Sequence, residues 1–181
     1  MLAVRKEKIL VFDTETTGLP GGANGSPTLG HEILELAIID GTGQLKLKEQ
    51  FKPIRKREWP EAQRIHGITP RDVQYKPSIE AFKDEIQRQI DYSELLVAYN
   101  FNFDYIFLRE VGISFSGKRY YDVMLEFARR RSGGKSYRSR PYVSLKKCAA
   151  YYGYDLSEAH DAEEDARATL HCFLRLQEGK A

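Results

Sequence analysis

Residues 8–18 read KILVFDTETTG, in which an apolar run from Ile9 to Phe12 leads straight into Asp13 and Glu15. A short continuous apolar run suits a strand buried on both faces. Side chains two apart on a strand leave the same face, so the two carboxylates stand side by side where a buried strand emerges. Like charges there repel, and burial worsens the repulsion. Either both end in bulk water and do nothing, or a positive group sits between them. The apolar lead-in favours the second reading. A hard divalent cation such as Mg²⁺ or Mn²⁺ relieves the repulsion and takes carboxylate and phosphate oxygens together. Gly18, just beyond the pair, lets the backbone come close to a ligand.

The rest of the chain suits one compact domain over residues 1–181, and 41% hydrophobic content gives it a sizeable core. Lys+Arg 28 against Asp+Glu 26 leaves +2, so the total charge names no partner. Cys148 and Cys172 form no CxxC pair, which argues against a disulfide scaffold or zinc module and makes a reducing cytoplasm the default. No apolar run approaches the ~20 residues of a membrane span. The basic start, MLAVRKEKILVF, has no small-residue cleavage site and reads as the first strand rather than a signal.

Periodicity predicts strands over 8–15, 32–40 and 47–54, joined as a meander with a turn at Gly41–Gly43. Within 32–40, strict alternation puts Ile33, Glu35 and Ala37 on one face and Leu34, Leu36 and Ile38 on the other. Residues 21–30 form a loop of turn-forming residues. Ile79, Phe82, Ile86 and Ile90 recur at helical spacing after Ser78, a candidate N-cap. Residues 95–100 read as a strand with a helix directly after it, and further helical patterns cover 123–131, 143–152 and 161–177. Strands first, then strands alternating with helices, indicate an α/β fold with a mixed sheet covered by helices.

A metal site needs more acids. Asp104 follows a short strand in YNFNFDYIFL, where a turn or cap role would explain it alone. In HDAEEDARATL, Asp161 and Glu164 suit the start of a helix that buries Ala162, Ala166, Leu170, Phe173 and Leu174. Asp165 flanks that stripe and faces inward, while Glu163 and Glu164 face solvent and His160 precedes the helix on a loop.

Taken together, FDTETTG (12–18), YNFNFD (99–104) and HDAEED (160–165), with AQRIHGIT (62–69) and LKKCAAYYGYDL (145–156) between them, resemble the DEDD superfamily of exonucleases in its histidine-containing, DnaQ-like branch. The layout is similar to the proofreading epsilon subunit of bacterial DNA polymerase III. The resemblance implies a ribonuclease H-like fold, a five-stranded mixed sheet with its second strand antiparallel, flanked by helices. It implies Asp13, Glu15, Asp104 and Asp165 as ligands of two Mg²⁺ or Mn²⁺ ions and His160 as the base that takes the proton of the attacking water. One ion would belong to Asp13, Glu15 and Asp165, the other to Asp13 and Asp104. It implies hydrolysis from a 3′ end with release of nucleoside monophosphates, in proofreading or repair. Thr16, Gly18 and Leu19 would hold the terminal nucleotide, Ile65 and His66 would pack near its base and sugar, and Asn100 would fix the scissile strand. Tyr99 departs from the pattern, which often has His before that Asn.

From Phe127 to Tyr154 there is no acidic residue, and basic side chains alternate with Tyr137 and Tyr142. Such a stretch, with a loop at 132–141, suits a phosphate track with stacking rings. The expected partner is single-stranded nucleic acid, DNA ahead of RNA, with a DNA polymerase subunit as a further candidate. An RNA-trimming enzyme of the same family and a non-catalytic nucleic-acid-binding or polymerase-holding module stay open as alternatives. The chain ends at LQEGKA without a long tail, which suits a stand-alone enzyme and an isolated catalytic domain equally.

Overall fold

A computed structural model describes residues 4–21, 28–132, 142–156 and 160–179. Residues 133–141, most of the basic loop, lie outside this set, as do 22–27. The chain opens with β1 (Ile9–Thr16), β2 (Ile33–Asp40) and β3 (Leu45–Gln50). Two short helices follow, α1 (Pro60–His66) and α2 (Pro70–Val73), then α3 (Lys83–Tyr92). The second half runs β4 (Leu95–Ala98), α4 (Phe101–Glu110), β5 (Arg119–Asp122), α5 (Val123–Arg131), α6 (Leu145–Tyr151) and α7 (Ala162–Gln177). The sheet order is β3-β2-β1-β4-β5. β2 is antiparallel to both β1 and β3, whereas β1, β4 and β5 are parallel. This is the expected mixed sheet, with helices on both faces.

β1 lies at the centre and feeds two cores. Ile9 and Val11 pack with Phe127, Cys148, Ala166 and Phe173 on the face covered by α5, α6 and α7. Leu10 and Phe12 pack with Ile86, Ile90, Phe107 and Leu108 beneath α3 and α4. Alternation therefore continues Asp13 and Glu15 on the α7 side and Thr14 on the α4 side. This parity decides where the acids point.

The alternation proposed for β2 fails at its start. Glu15 pairs with Glu35 but Thr16 pairs with Ile33, so a bulge leaves Leu34 without a partner on β1. The extra residue shifts the parity. Ile33 joins Leu36 and Ile38 in one core, and Leu34 turns to Trp59, Ile68 and Val73. The indole N–H of Trp59 donates to the Ile68 carbonyl (2.8 Å) and closes the α1–α2 hairpin. α1 buries no residue, which is why no apolar stripe marks it, and it holds up Ile65 and His66. β3 stops at Gln50. β5 is a four-residue strand, RYYD, whose first two residues are exposed, and it has no apolar run. Ser78 precedes a 3-10 turn at Ile79–Phe82 but makes no side-chain cap bond. On α7 it is Leu176, rather than Leu174, that is fully buried. Glu163 and Glu164 are half-buried rather than solvated, because Arg167 pairs with the first and the Tyr154 hydroxyl donates to the second (2.8 Å).

Asp122, at the end of β5, joins two helix starts. One oxygen accepts the Leu125 N–H (2.9 Å) and caps α5. The other accepts the Phe101 N–H (2.9 Å) at the start of α4. Asp122→Ala is expected to lower the unfolding free energy by about 1–3 kcal/mol, since both donors lose a charged acceptor. Urea unfolding checks this, and an unchanged midpoint would show that water replaces both bonds.

Candidate active site

Three elements bring the acids together. Asp13 and Glu15 come from the end of β1. Asp104 sits on the first turn of α4, and the Thr14 hydroxyl donates to its Oδ1 (2.7 Å) from the opposite face of β1. α4 can begin so abruptly after β4 because Asn100 takes a left-handed conformation (φ 61°), which Asn tolerates better than most residues. Asp165 lies one turn into α7, whose start is capped by Asp161 through the N–H groups of Glu163 and Glu164. Ligand atoms of Glu15, Asp165 and His160 lie within 4.8 Å of one another.

The crowding shows in the proton affinities. Burial, then the charges of Asp104, Asp165, Glu15 and Glu35, hold Asp13 well above the ordinary carboxylate range. Glu15 is pushed up to about 8, by burial first and then by Asp165, Glu35 and Asp104. Burial raises Asp104 to about 7 against the hydrogen bond from Thr14, and Asp165 to about 7 against the bond from the His160 N–H. Asp165 Oδ1 is buried and has no hydrogen-bond partner among the described residues. An unpartnered buried oxygen amid four mutually repelling carboxylates is the environment a hard divalent cation suits. The donor set therefore fits Mg²⁺ or Mn²⁺.

Two histidines near the acids differ in kind. His66 accepts the Ile68 N–H at Nδ1 (3.0 Å). The hydrogen must then sit on Nε2, which faces the Thr16 carbonyl (3.2 Å). Both nitrogens are engaged, so His66 braces the end of β1. His160 has a left-handed backbone (φ 76°), and among the described residues no hydrogen bond engages its ring nitrogens. Burial, then Lys146, hold its pKa below the ordinary 6.5. Of the two, His160 is the one able to accept a proton.

A cleft of about 1330 Å³ contains Asp13, Glu15, Thr16, Gly18, Leu19, Ile65, His66, Asn100, Asp104, His160 and Asp165 in its wall, so every candidate from the sequence meets there. Leu19 (74% exposed) and Ile65 (59%) stand out from the core on its lip, where ordinary packing does not explain them. The Thr16 hydroxyl is turned onto the Gly18 carbonyl (2.7 Å). The space beside Gly18 is filled by the His31 ring, which a Cβ would meet at 2.4 Å. Gly18 thus makes room for His31, and His31 in turn sits 3.2 Å from the Thr17 hydroxyl. His31 and Glu35 are site neighbours that sequence reasoning missed. The HEILE run of 31–35 held them, but its periodicity spoke only of a strand.

The RNase T exonuclease family model matches residues 10–173. The chain belongs to this exonuclease family. It is 36% identical over 109 residues to the DNA polymerase III subunit epsilon of Buchnera aphidicola subsp. Schizaphis graminum (strain Sg), a match covering 58% of this chain and 45% of that subunit. It is 28% identical over 183 residues to the uncharacterized exonuclease CP81 of Escherichia phage 186, covering 95% and 89% of the two chains. Among solved structures it resembles Exonuclease X in complex with 5′ overhanging duplex DNA, with a TM-score of 0.62 and 25% identity over 94% of this chain and 93% of that one. The zinc-bound E. coli ExoI–ssDNA complex shares the fold (TM-score 0.71, 20% identity, 97% of this chain and 42% of that one). The match thus spans less than half of the epsilon relative but most of the phage protein and Exonuclease X. Among the described residues no helix is long and apolar enough to cross a membrane.

Each raised carboxyl binds its proton more tightly folded than unfolded. Stability from these neutral forms is complete below the ordinary carboxylate range and is lost as pH rises to about 8. The metal-free melting temperature is therefore expected to fall from about pH 5 to about pH 8. Mn²⁺ should flatten that fall, and Asp13→Asn should raise the metal-free value at the alkaline end. Scanning calorimetry reads all three effects. A metal-free melting temperature that climbs across the window would mean that the acids are not crowded.

Proposed function

We propose that this exonuclease is metal-dependent and works in the 3′–5′ direction on single-stranded or frayed DNA, releasing nucleoside 5′-monophosphates. The observation that carries this reading is the meeting of Asp13, Glu15, Asp104, Asp165 and an unengaged His160 in one cleft. Asp13, Glu15 and Asp165 would hold one Mg²⁺ or Mn²⁺ ion, and Asp13 with Asp104 a second. The ions would polarise the phosphodiester and lower the pKa of the attacking water. His160 takes the water's proton, and its depressed pKa keeps the ring neutral and ready at pH 7. Leu19 and Ile65 offer apolar surface to the terminal base at the lip. His66 can present only ring carbons, since both nitrogens are bound within the protein. Thr16 and Gly18 would shape the backbone under the terminal nucleotide, and Asn100, in the cleft wall, would help fix the scissile strand. The epsilon relative and the DNA-bound Exonuclease X support DNA as substrate. The epsilon relative, a subunit of DNA polymerase III by name, also supports work beside a DNA polymerase, which for this chain would be proofreading or repair.

The test is a time course on 5′-labelled single-stranded DNA, frayed duplex and RNA, with Mg²⁺, Mn²⁺ or EDTA. A ladder descending one nucleotide at a time is expected on DNA, with no product in EDTA. Asp13→Ala should abolish hydrolysis. His160→Ala should lower kcat by roughly 10²–10⁴-fold with little change in strand binding. Cuts in a circular single strand, or undiminished turnover in Asp13→Ala, would sink the reading. Faster digestion of RNA would reassign the substrate.

A further inference from the structure

Glu35 is a fifth carboxylate at the edge of the site, and the groups around it set it apart from the other four. It stands opposite Glu15 in the β1–β2 pairing and is 4% exposed. Its Oε1 accepts the Ala162 N–H (3.1 Å), and its Oε2 accepts the Gln50 amide (2.8 Å). A carboxylate only accepts, so Gln50 must turn its nitrogen toward it. Both oxygens of Glu35 are thus committed to the protein.

Ala162 is the first residue of α7, and its N–H has no partner within the helix. Asp161 satisfies the next two N–H groups, of Glu163 (3.0 Å) and Glu164 (3.1 Å). Without Glu35, the Ala162 N–H would be buried and unmet. The negative carboxylate also suits the positive end of the helix. Lys48 holds the same turn from β3 through Asp161 (2.7 Å), but at a half-exposed place where such pairs contribute little. His160 and Asp165 flank this turn, and a metal site tolerates only about 0.5 Å of misplacement.

We infer that Glu35, steered by Gln50, is a positioning residue that seats the first turn of α7 on the sheet and so sets Asp165 and His160 against Asp13 and Glu15. The inference rests on the metal-dependent reading of the site. Groups that orient metal ligands typically change affinity by roughly 10–100-fold when lost.

The experiment titrates the full chain with Mn²⁺ alone, without nucleic acid, and follows amide exchange over residues 160–166. Glu35→Ala should weaken Mn²⁺ binding by roughly 10–100-fold and speed exchange at Ala162. Glu35→Gln keeps an acceptor for that N–H while losing the charge, and should restore most of both. Equal losses of Mn²⁺ binding in the two variants, with exchange at Ala162 unchanged in both, would show that Glu35 acts through its charge at the metal site and not by seating the helix, which overturns the inference. Unchanged binding and exchange in Glu35→Ala would do the same. Should Glu35→Ala fail to fold, Gln50→Leu is expected to move both readouts in the same direction, and no movement in either overturns the inference. A wild-type chain that binds no Mn²⁺ would instead defeat the metal reading, and exchange at Ala162 would still decide whether Glu35 seats the helix.

Discussion

Four carboxylates meet where the central strand leaves the core, and the rest of the structure is arranged around the repulsion among them. Asp13 and Glu15 share a face of β1 because strand side chains alternate. Asp165 arrives from the helix layer over that face, and Asp104 from the layer beneath, where Thr14 holds it. Burial strengthens each repulsion and lifts the proton affinity of every member. Such a cluster is costly as bare anions and favourable around cations.

Holding the acids against that repulsion falls to helix starts and strand ends rather than to the hydrophobic cores alone. Asn100 turns the chain sharply into α4, and Asp122 fixes the beginnings of α4 and α5 together. Asp161, Lys48 and Glu35 tie the first turn of α7 to β2 and β3. Just past Glu15, His66 engages the Thr16 carbonyl and His31 the Thr17 hydroxyl. A polar frame of this kind is directional, and it can fix distances that apolar packing leaves adjustable. The family match spans the elements that carry this frame, residues 10–173.

The histidines show why residue type alone does not assign a role. His66 and His160 line the same cleft, yet one has both ring nitrogens committed to the backbone and the other has its ring turned to the acids. Motif resemblance names both as site residues. Only the hydrogen bonds separate a ring committed to the backbone from one that, among the described residues, has no such bond.

Much of the architecture was legible because its signals are local. The apolar run into Asp13, the helical spacing over 123–131 and 161–177, and the ordered acidic motifs each sit within a short window. Alternation alone set Asp13 and Glu15 side by side, and helical spacing alone turned Asp165 inward. What stayed hidden depends on partners far along the chain. The bulge that turns Leu34 to Trp59 arises from pairing with β1. β5 is a strand because β4 offers it an edge, not because RYYD has a pattern. Glu35 reads as one polar residue in a strand until the fold brings Ala162, 127 positions away, onto its carboxylate. The sequence by itself determined the α/β class and the placing of Asp13 beside Glu15, since periodicity and side-chain type are written residue by residue. The tertiary structure alone decided which groups are engaged and which are left to react, because a hydrogen bond between distant residues exists only once the chain has folded.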